Sequence, residues 1–482
     1  MSAIRPRAGL PFRRIAVVLS GGGALGAYEV GVLRVIEAAG LAPWLVAGVS
    51  IGAVNAVVWL AHGGRTAALE EAWRSMRAST IGLRWGTLAM RAAGAAIMIV
   101  ALLELLLAVM GSRALSGSWW LWRRWSGRAD LSSGLLDATA WAVLALAGAL
   151  LVAVSRPAEG WLARLSPPAD PQRLHRRFGL ALLALAAVHA TVWVFGWPWP
   201  HRFSAFTLLV LGGAWLANRP GRAGDRMRGL LRRLMPETRG RGLWGSAARR
   251  QVIERLVRAG DPQRLASGPT GLLVSALATD TGRVAHFTRL ADPDPALAAR
   301  FAQRVERELG EVLPIRDAED AVRAAVASSA IPGLFEPVRI AGRDFVDAGG
   351  LTNQPIHLAI AAESDAVLVV LLSPSGSPPP APPSANLLEL AARLLELSNW
   401  RDLQAELRAL PDGWSREGRP ARVCVVEPAA PLPGGVLGFA PESAAQLMRL
   451  GAADAEAALA RAGWIEPAVA AGAARAAGGA GA

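Results

Sequence analysis

Ser50 lies in Gly48-Val49-Ser50-Ile51-Gly52, a G-x-S-x-G pattern with an apolar run before it and a helical pattern after it. A serine hydroxyl attacks only when a base takes its proton. A tight strand-to-helix turn presents such a serine at the edge of a sheet, over a helix N-terminus that favours developing negative charge. Glycine and serine are common, so the weight of the pattern comes from the strand and helix on its correct sides. Asp347 opens Asp347-Ala348-Gly349-Gly350 after the apolar run Val338–Val346 and supplies a carboxylate. Alone, an aspartate before glycine is a turn. Gly21-Gly22-Gly23-Ala24-Leu25-Gly26 again sits between a strand-like run and a helical pattern and fits G-x-G-x-x-G. A dinucleotide loop of that form wants an acidic residue about 20 positions on, and residues 41–50 hold none. A phosphate-binding P-loop wants a lysine, and the chain has none. The use left for three successive glycines is a set of exposed backbone N–H donors for an oxyanion.

Histidines offer a rival base. His62, His286 and His357 are the candidates, and Ser50, Asp280 and His286 run in the chain order of a Ser…Asp…His triad. Each also reads simply as a surface or loop histidine. The six histidines show no paired ligand spacing and Cys424 is the single cysteine, so no metal and no cofactor are expected. Cys424, in an apolar strand pattern, reads as core.

These residues need a frame. Short apolar runs at Ile15–Leu19, Leu45–Val49, Leu272–Leu277, Ala366–Leu372 and Arg422–Val426 read as buried strands, with helical patterns such as Ala27–Ala39 and Ile51–Ala61 between them. Continuous apolar strands alternating with helices predict an α/β fold: three layers around a mostly parallel sheet. Arg5, Arg7, Arg13 and Arg14 before Ile15–Leu19 imitate a secretory signal. The apolar run is too short and passes straight into the glycines, so no cleaved signal is expected.

Taken together, the three elements resemble the patatin-like phospholipase family. Supporting matches are Gly31-Val32-Leu33, Gly52-Ala53-Val54-Asn55-Ala56, Thr279-Asp280-Thr281-Gly282, the run from Ala327 to Phe335, and Asn353 and Pro355 after the aspartate. The resemblance implies a patatin-like fold and a Ser50–Asp347 dyad acting on acyl lipids. It also implies an oxyanion hole from Gly21, Gly22 and Gly23, with Gly26, Gly48, Gly52 and Gly349 as motif support. Two departures stand out: Leu25 where the family often has arginine or lysine, and Ala348 for the first glycine after the aspartate. The implied function is a membrane-associated serine lipid acyl hydrolase of phospholipase A, lysophospholipase or esterase type. The alternatives are a membrane-bound scaffold or sensor with a weakly active or inactive domain, and an acyltransferase through the same acyl-Ser50.

The chain has 482 residues and a formal net charge of +13, every basic residue being arginine. Arginine without lysine records a coding bias, so no nucleic-acid partner is inferred. Residues 218–258 hold twelve arginines against Asp225, Glu237 and Glu254. Before them lie four apolar segments, Ala92–Met110, Leu135–Val154, Phe178–Trp197 and Phe203–Ala217. The first three approach the roughly 20 residues of a membrane-crossing helix. Ten of the 18 tryptophans fall between Trp119 and Trp215, several beside segment ends, as interfacial anchors do. Inside these segments His189, Glu104 and Asp137 read as structural polar groups. An arginine block after apolar spans suits anionic lipid headgroups.

The expected organisation follows. Residues 1–79 form the N-terminal half of the hydrolase, 80–217 an all-α transmembrane insertion, and 218–258 an Arg-rich juxtamembrane segment. Residues 259–467 form the C-terminal half and 468–482 an Ala/Gly-rich tail. Both halves must share one side of the membrane, so crossings come in even number: four, or two with surface helices. Loop arginines place the catalytic side in the cytoplasm of a multi-pass protein of a bacterial inner membrane, with membrane lipids as both substrate and surface.

Overall fold

In the computed structural model the described residues are 10–83 and 241–466, apart from 293, 309, 377–386 and 411–420, together with helical positions at 90–91, 93–99, 102, 145–150 and 152–153. The chain divides into two units, one of residues 1–82 and 241–482, the other of residues 83–240.

The first unit carries eleven described strands: β1 Ile15–Leu19, β2 Leu45–Val49, β3 Gly242–Trp244, β4 Gly271–Ala278, β5 Val284–Arg289, β6 Glu311–Pro314, β7 Gly333–Phe335, β8 Val338–Ile340, β9 Arg343–Asp347, β10 Ala366–Val370 and β11 Val423–Val426. Its helices are α1 Ala27–Ala38, α2 Ile51–Ala61, α3 Ala67–Ser75, α4 Ala247–Ala259, α5 Gln263–Ser267, α6 Pro295–Glu308, α7 Ala318–Ser328, α8 Ile356–Ala361, α9 Leu387–Arg408 and α10 Pro441–Ala462.

The five apolar runs become neighbours in the order β11-β10-β1-β2-β4, all parallel, with β5 and β6 continuing the sheet beyond β4. Strand side chains alternate between faces, and here both faces are buried. Val17, Leu19, Val46, Leu272, Val274, Leu368 and Val370 point into one core with residues of α1, α2, α7 and α10. Ala16, Val18, Leu45, Ala47, Leu273, Val367 and Val369 point into another with Phe301, Val305, Ile356, Leu358 and Leu403 from α6, α8 and α9. That is the three-layer arrangement expected for strands apolar at every position.

Two differences have local causes. The run Val338–Val346 is a hairpin, not one strand. Ala341 and Gly342 both take positive φ, 48° and 82°, and turn β8 back onto β9 as a two-residue loop of this kind requires. Beyond β4 the sheet mixes its directions, because β5 and β9 both pair with β4 antiparallel. β9 delivers Asp347 opposite Ala276.

Residues 241–258, grouped by charge with a juxtamembrane segment, fall within the α/β unit as β3 and most of α4. In the second unit the described positions from 90 on are helical, and a Cβ on Gly148 would meet Gly94 O at 2.6 Å, so two helical stretches pack there. Leu102, Leu146 and Leu150 are exposed. No described helix is long and apolar enough to cross a membrane. Phe178–Trp197, Phe203–Ala217, most of Ala92–Met110 and Leu135–Val154, the residues His189, Glu104 and Asp137, and the 468–482 tail lie outside the described residues.

Candidate active site

β2 ends at Val49, α2 begins at Ile51, and Ser50 between them holds φ 55° and ψ −122°. A non-glycine residue there is strained by about 1–3 kcal/mol and must be held by its surroundings. The flanking glycines permit the turn: a Cβ on Gly48 would sit 2.6 Å from Ala53 N, and one on Gly52 would sit 2.5 Å from Leu19 O. The backbone N–H of Ser50 donates to Ser328 Oγ at 2.7 Å, and Ser328 Oγ donates to Ser275 O at 2.6 Å. The nucleophile turn is thereby pinned to the end of α7 and to β4.

Asp347 ends β9. Its N–H donates to Ala330 O at 2.9 Å, so the α7 terminus holds this residue as well. Ser50 Oγ donates to Asp347 Oδ2 at 2.6 Å, and Gly349 N donates to Asp347 Oδ1 at 2.8 Å. Asp347 is buried, and burial pushes its carboxyl up to about 6; the bonds from Ser50 and Gly349 and the Arg249 charge pull against that. A carboxylate so placed can take the serine proton directly and is a stronger base than a solvated aspartate.

Three glycines precede α1. The Gly21 N–H points to Asn353 O at 3.4 Å, while Asn353 Nδ2 donates to Gly21 O at 3.2 Å, so Gly21 is engaged with the segment that follows Asp347. Ala24 N donates to Val436 O and Leu25 N to Gly22 O. Among the described residues the amides of Gly22 and Gly23 have no partner, which leaves two donors free for an oxyanion.

Beneath this turn runs a buried network that sequence reasoning missed, although Asn55 stands in the matched motif. Asn55 Nδ2 donates to Gly26 O at 2.9 Å and to Glu29 Oε2 at 2.8 Å. Glu29 is fully buried, and burial holds its carboxyl well above the carboxylate range. Ser328 stands in the matched run from Ala327 to Phe335 but its role was missed, and Arg249 was missed altogether, since their partners lie far along the chain.

The histidines go elsewhere. His286 is buried on β5 beside Ser275, Nδ1 to Oγ 2.9 Å. His62 contacts Leu256 O, and His357 pairs with Glu406. Asp280 is exposed and pairs with Arg343. No hydrogen bond joins a histidine to Ser50 or Asp347 among the described residues, so the Ser50–Asp280–His286 alternative is not assembled. Cys424 is buried in the core and its thiol is pushed up to about 12 by burial. No group of three potential metal ligands occurs among the described residues.

Residues 17–360 match the family model described as patatin-like phospholipase. No curated protein matches the chain. Among solved structures, VipD from Legionella pneumophila aligns with 93% of this chain and 70% of its own at 12% identity and a TM-score of 0.29, a likeness too slight to carry an argument. The family match covers the glycine turn, the serine elbow and the Asp347 segment alike, so the chain belongs to the patatin-like phospholipase family and is a carboxylic ester hydrolase of lipid substrates.

Proposed function

We propose that this protein is a membrane-associated serine lipid acyl hydrolase working through a Ser50–Asp347 dyad. The observation that carries the reading is the 2.6 Å hydrogen bond from Ser50 Oγ to Asp347 Oδ2. Ser50 Oγ attacks the acyl carbonyl carbon as its proton passes to Asp347. The carbonyl oxygen becomes an oxyanion facing the free amides of Gly22 and Gly23, and one such donor is worth roughly 3 kcal/mol in the barrier. The intermediate collapses, the ester C–O bond breaks, and Asp347 returns the proton to the leaving alcohol. Water then adds to acyl-Ser50, giving its proton to Asp347, and the fatty acid leaves as Ser50 regains its own.

Membrane association rests on the sequence of the 80–217 insertion and on its exposed Leu102, Leu146 and Leu150. β2 and β4 lie side by side although the insertion separates them, so it leaves and re-enters the same unit. Any crossings must then be even in number. The arginine distribution favours a cytoplasmic catalytic unit in a bacterial inner membrane.

The test is labelling of membrane fractions with a fluorescent fluorophosphonate in wild type, Ser50→Ala, Asp347→Asn and His286→Ala. Labelling that needs Ser50 and Asp347 and survives in His286→Ala supports the dyad. Loss in His286→Ala would replace it by a triad, and no labelling of folded wild type would leave a scaffold.

A further inference from the structure

One buried charge beside the dyad has no part in the mechanism above. Arg249, in the first turn of α4, is 5% exposed. Its guanidinium lies over the ring of Phe335, Cζ 3.6 Å from the centroid, and Nη1 donates to Ser329 O. Nε and Nη2, the side-on pair with which arginine grips a carboxylate, have no partner among the described residues. A desolvated guanidinium without a bonded anion is costly to keep, so its position calls for a reason.

Ser329, which Arg249 holds, is the middle of three residues that set the dyad. Ser328 Oγ accepts the Ser50 N–H, and Ala330 O accepts the Asp347 N–H. The serine and the aspartate, 297 positions apart, are aligned by one short turn. Arg249 grips that turn at its centre. Its charge also acts on Asp347, and both groups are buried, where Coulomb interactions weaken less than in water.

We propose that Arg249 is a positioning residue for the Ser50–Asp347 pair: it anchors the Ser328–Ala330 turn that orients both residues and supplies a buried positive charge that keeps Asp347 anionic and ready to accept the serine proton. The inference rests on the dyad reading and deepens it. Arg249 opposes the upward push of burial on Asp347. In return, Asp347 and Glu336 oppose the burial that lowers Arg249 to about 9. Against the dyad stand the Ser328 hydroxyl from α7, which accepts the Ser50 N–H, the Gly349 amide, which donates to Asp347, and the side chain of Asn353, while Ser275 from β4 meets Ser328 through its backbone oxygen. His286 from β5 stands behind Ser275.

The experiment measures the second-order rate of fluorophosphonate labelling against pH in wild type, Arg249→Gln and Arg249→Lys, with thermal unfolding followed in parallel. Glutamine keeps a donor for Ser329 O and removes the charge; lysine keeps the charge and removes the fork. Wild type should lose labelling as pH falls through about 6. In Arg249→Gln that limb should move up by about one pH unit or more, the usual size of a lost opposite charge, with a roughly tenfold loss of labelling below it. Arg249→Lys should keep the limb near its wild-type position at a lower plateau. An unmoved limb in Arg249→Gln, or equal movement in both variants, would overturn the proposal. Failure of both variants to fold would also overturn it, by making Arg249 a residue of the core alone. Wild-type labelling that is indifferent to Asp347→Asn would instead remove the dyad, a result visible before any Arg249 variant is read.

Discussion

Asn55 Oδ1 accepts the indole N–H of Trp73 at 3.1 Å, and that bond decides which end of the amide faces the glycine turn. With its oxygen committed to α3, Asn55 turns both amide protons toward Gly26 O and Glu29 Oε2. The nucleophile helix α2 is thus tied to the turn that carries the free Gly22 and Gly23 amides. Asn55→Ala would leave the buried indole N–H of Trp73 unpartnered and take one bond each from Gly26 O and the Glu29 carboxyl. A buried orphan costs about 1–3 kcal/mol, so denaturant unfolding should show a loss of about 3 kcal/mol. Labelling of the protein that remains folded should slow, with the acid limb unmoved because Asp347 is untouched. Full stability in Asn55→Ala would dismiss the network.

Glu29 gives a pH prediction of definite sign. Burial holds its folded-state pKa well above the ordinary 4.5, outweighing the bonds from Asn55 and Ser20. An acid whose pKa rises on folding stabilises the fold fully below its unfolded value, and this contribution falls as pH climbs toward the folded value. Glu29→Gln stays neutral throughout. Its stability relative to wild type should therefore improve between about pH 5 and about pH 8, read as a difference in unfolding free energy at the two ends. A difference that does not change with pH would mean Glu29 is ionised in the fold.

Asp347 supplies the third. As the base it must be deprotonated, so ester turnover should be lost as pH falls through about 6, higher than a solvated aspartate would give. Asp347→Asn keeps the shape and removes the base. It should lower the rate about 10²- to 10⁴-fold and abolish that limb. A limb that survives in Asp347→Asn belongs to another group.

Ser50 and the glycine turn were legible because each is a short local pattern with a strand and a helix on its correct sides, whereas Asp347, a turn residue when read alone, was picked out only by the resemblance that joins the three elements. The parallel strands were legible because both of their faces are buried, which makes the runs apolar throughout. The role of Ser328 was not, since a serine ending a helix is ordinary even within the matched run until Ser50 N, 278 positions away, is seen on its oxygen. Arg249 was hidden among twelve arginines read as one surface. A signal was present: Arg249, Ile253 and Val257 recur every four residues and form the buried stripe of α4. An arginine on an apolar stripe was the mark of a buried charge. β5 went unread, and with it the strand that takes His286 to Ser275 and away from Ser50.

The insertion yields the last prediction. The α/β unit contains every residue of the glycine turn, the dyad and the Ser328–Ala330 brace, all outside 83–240. The end of the first half lies against α4 of the second, since a Cβ on Gly82 would come within 3.2 Å of Ala248 Cβ. Replacing 83–240 with a Gly/Ser linker that reaches from Gly82 to Arg241 should leave a folded unit, because loop-closure entropy grows only slowly with length. Such a protein should still be labelled at Ser50 and should still hydrolyse a water-soluble ester. Loss of hydrolysis confined to lipid in vesicles would assign the insertion to substrate delivery. Full activity on vesicles would sever the insertion from the lipid chemistry, and failure to label any ester probe would mean that the insertion completes the site itself.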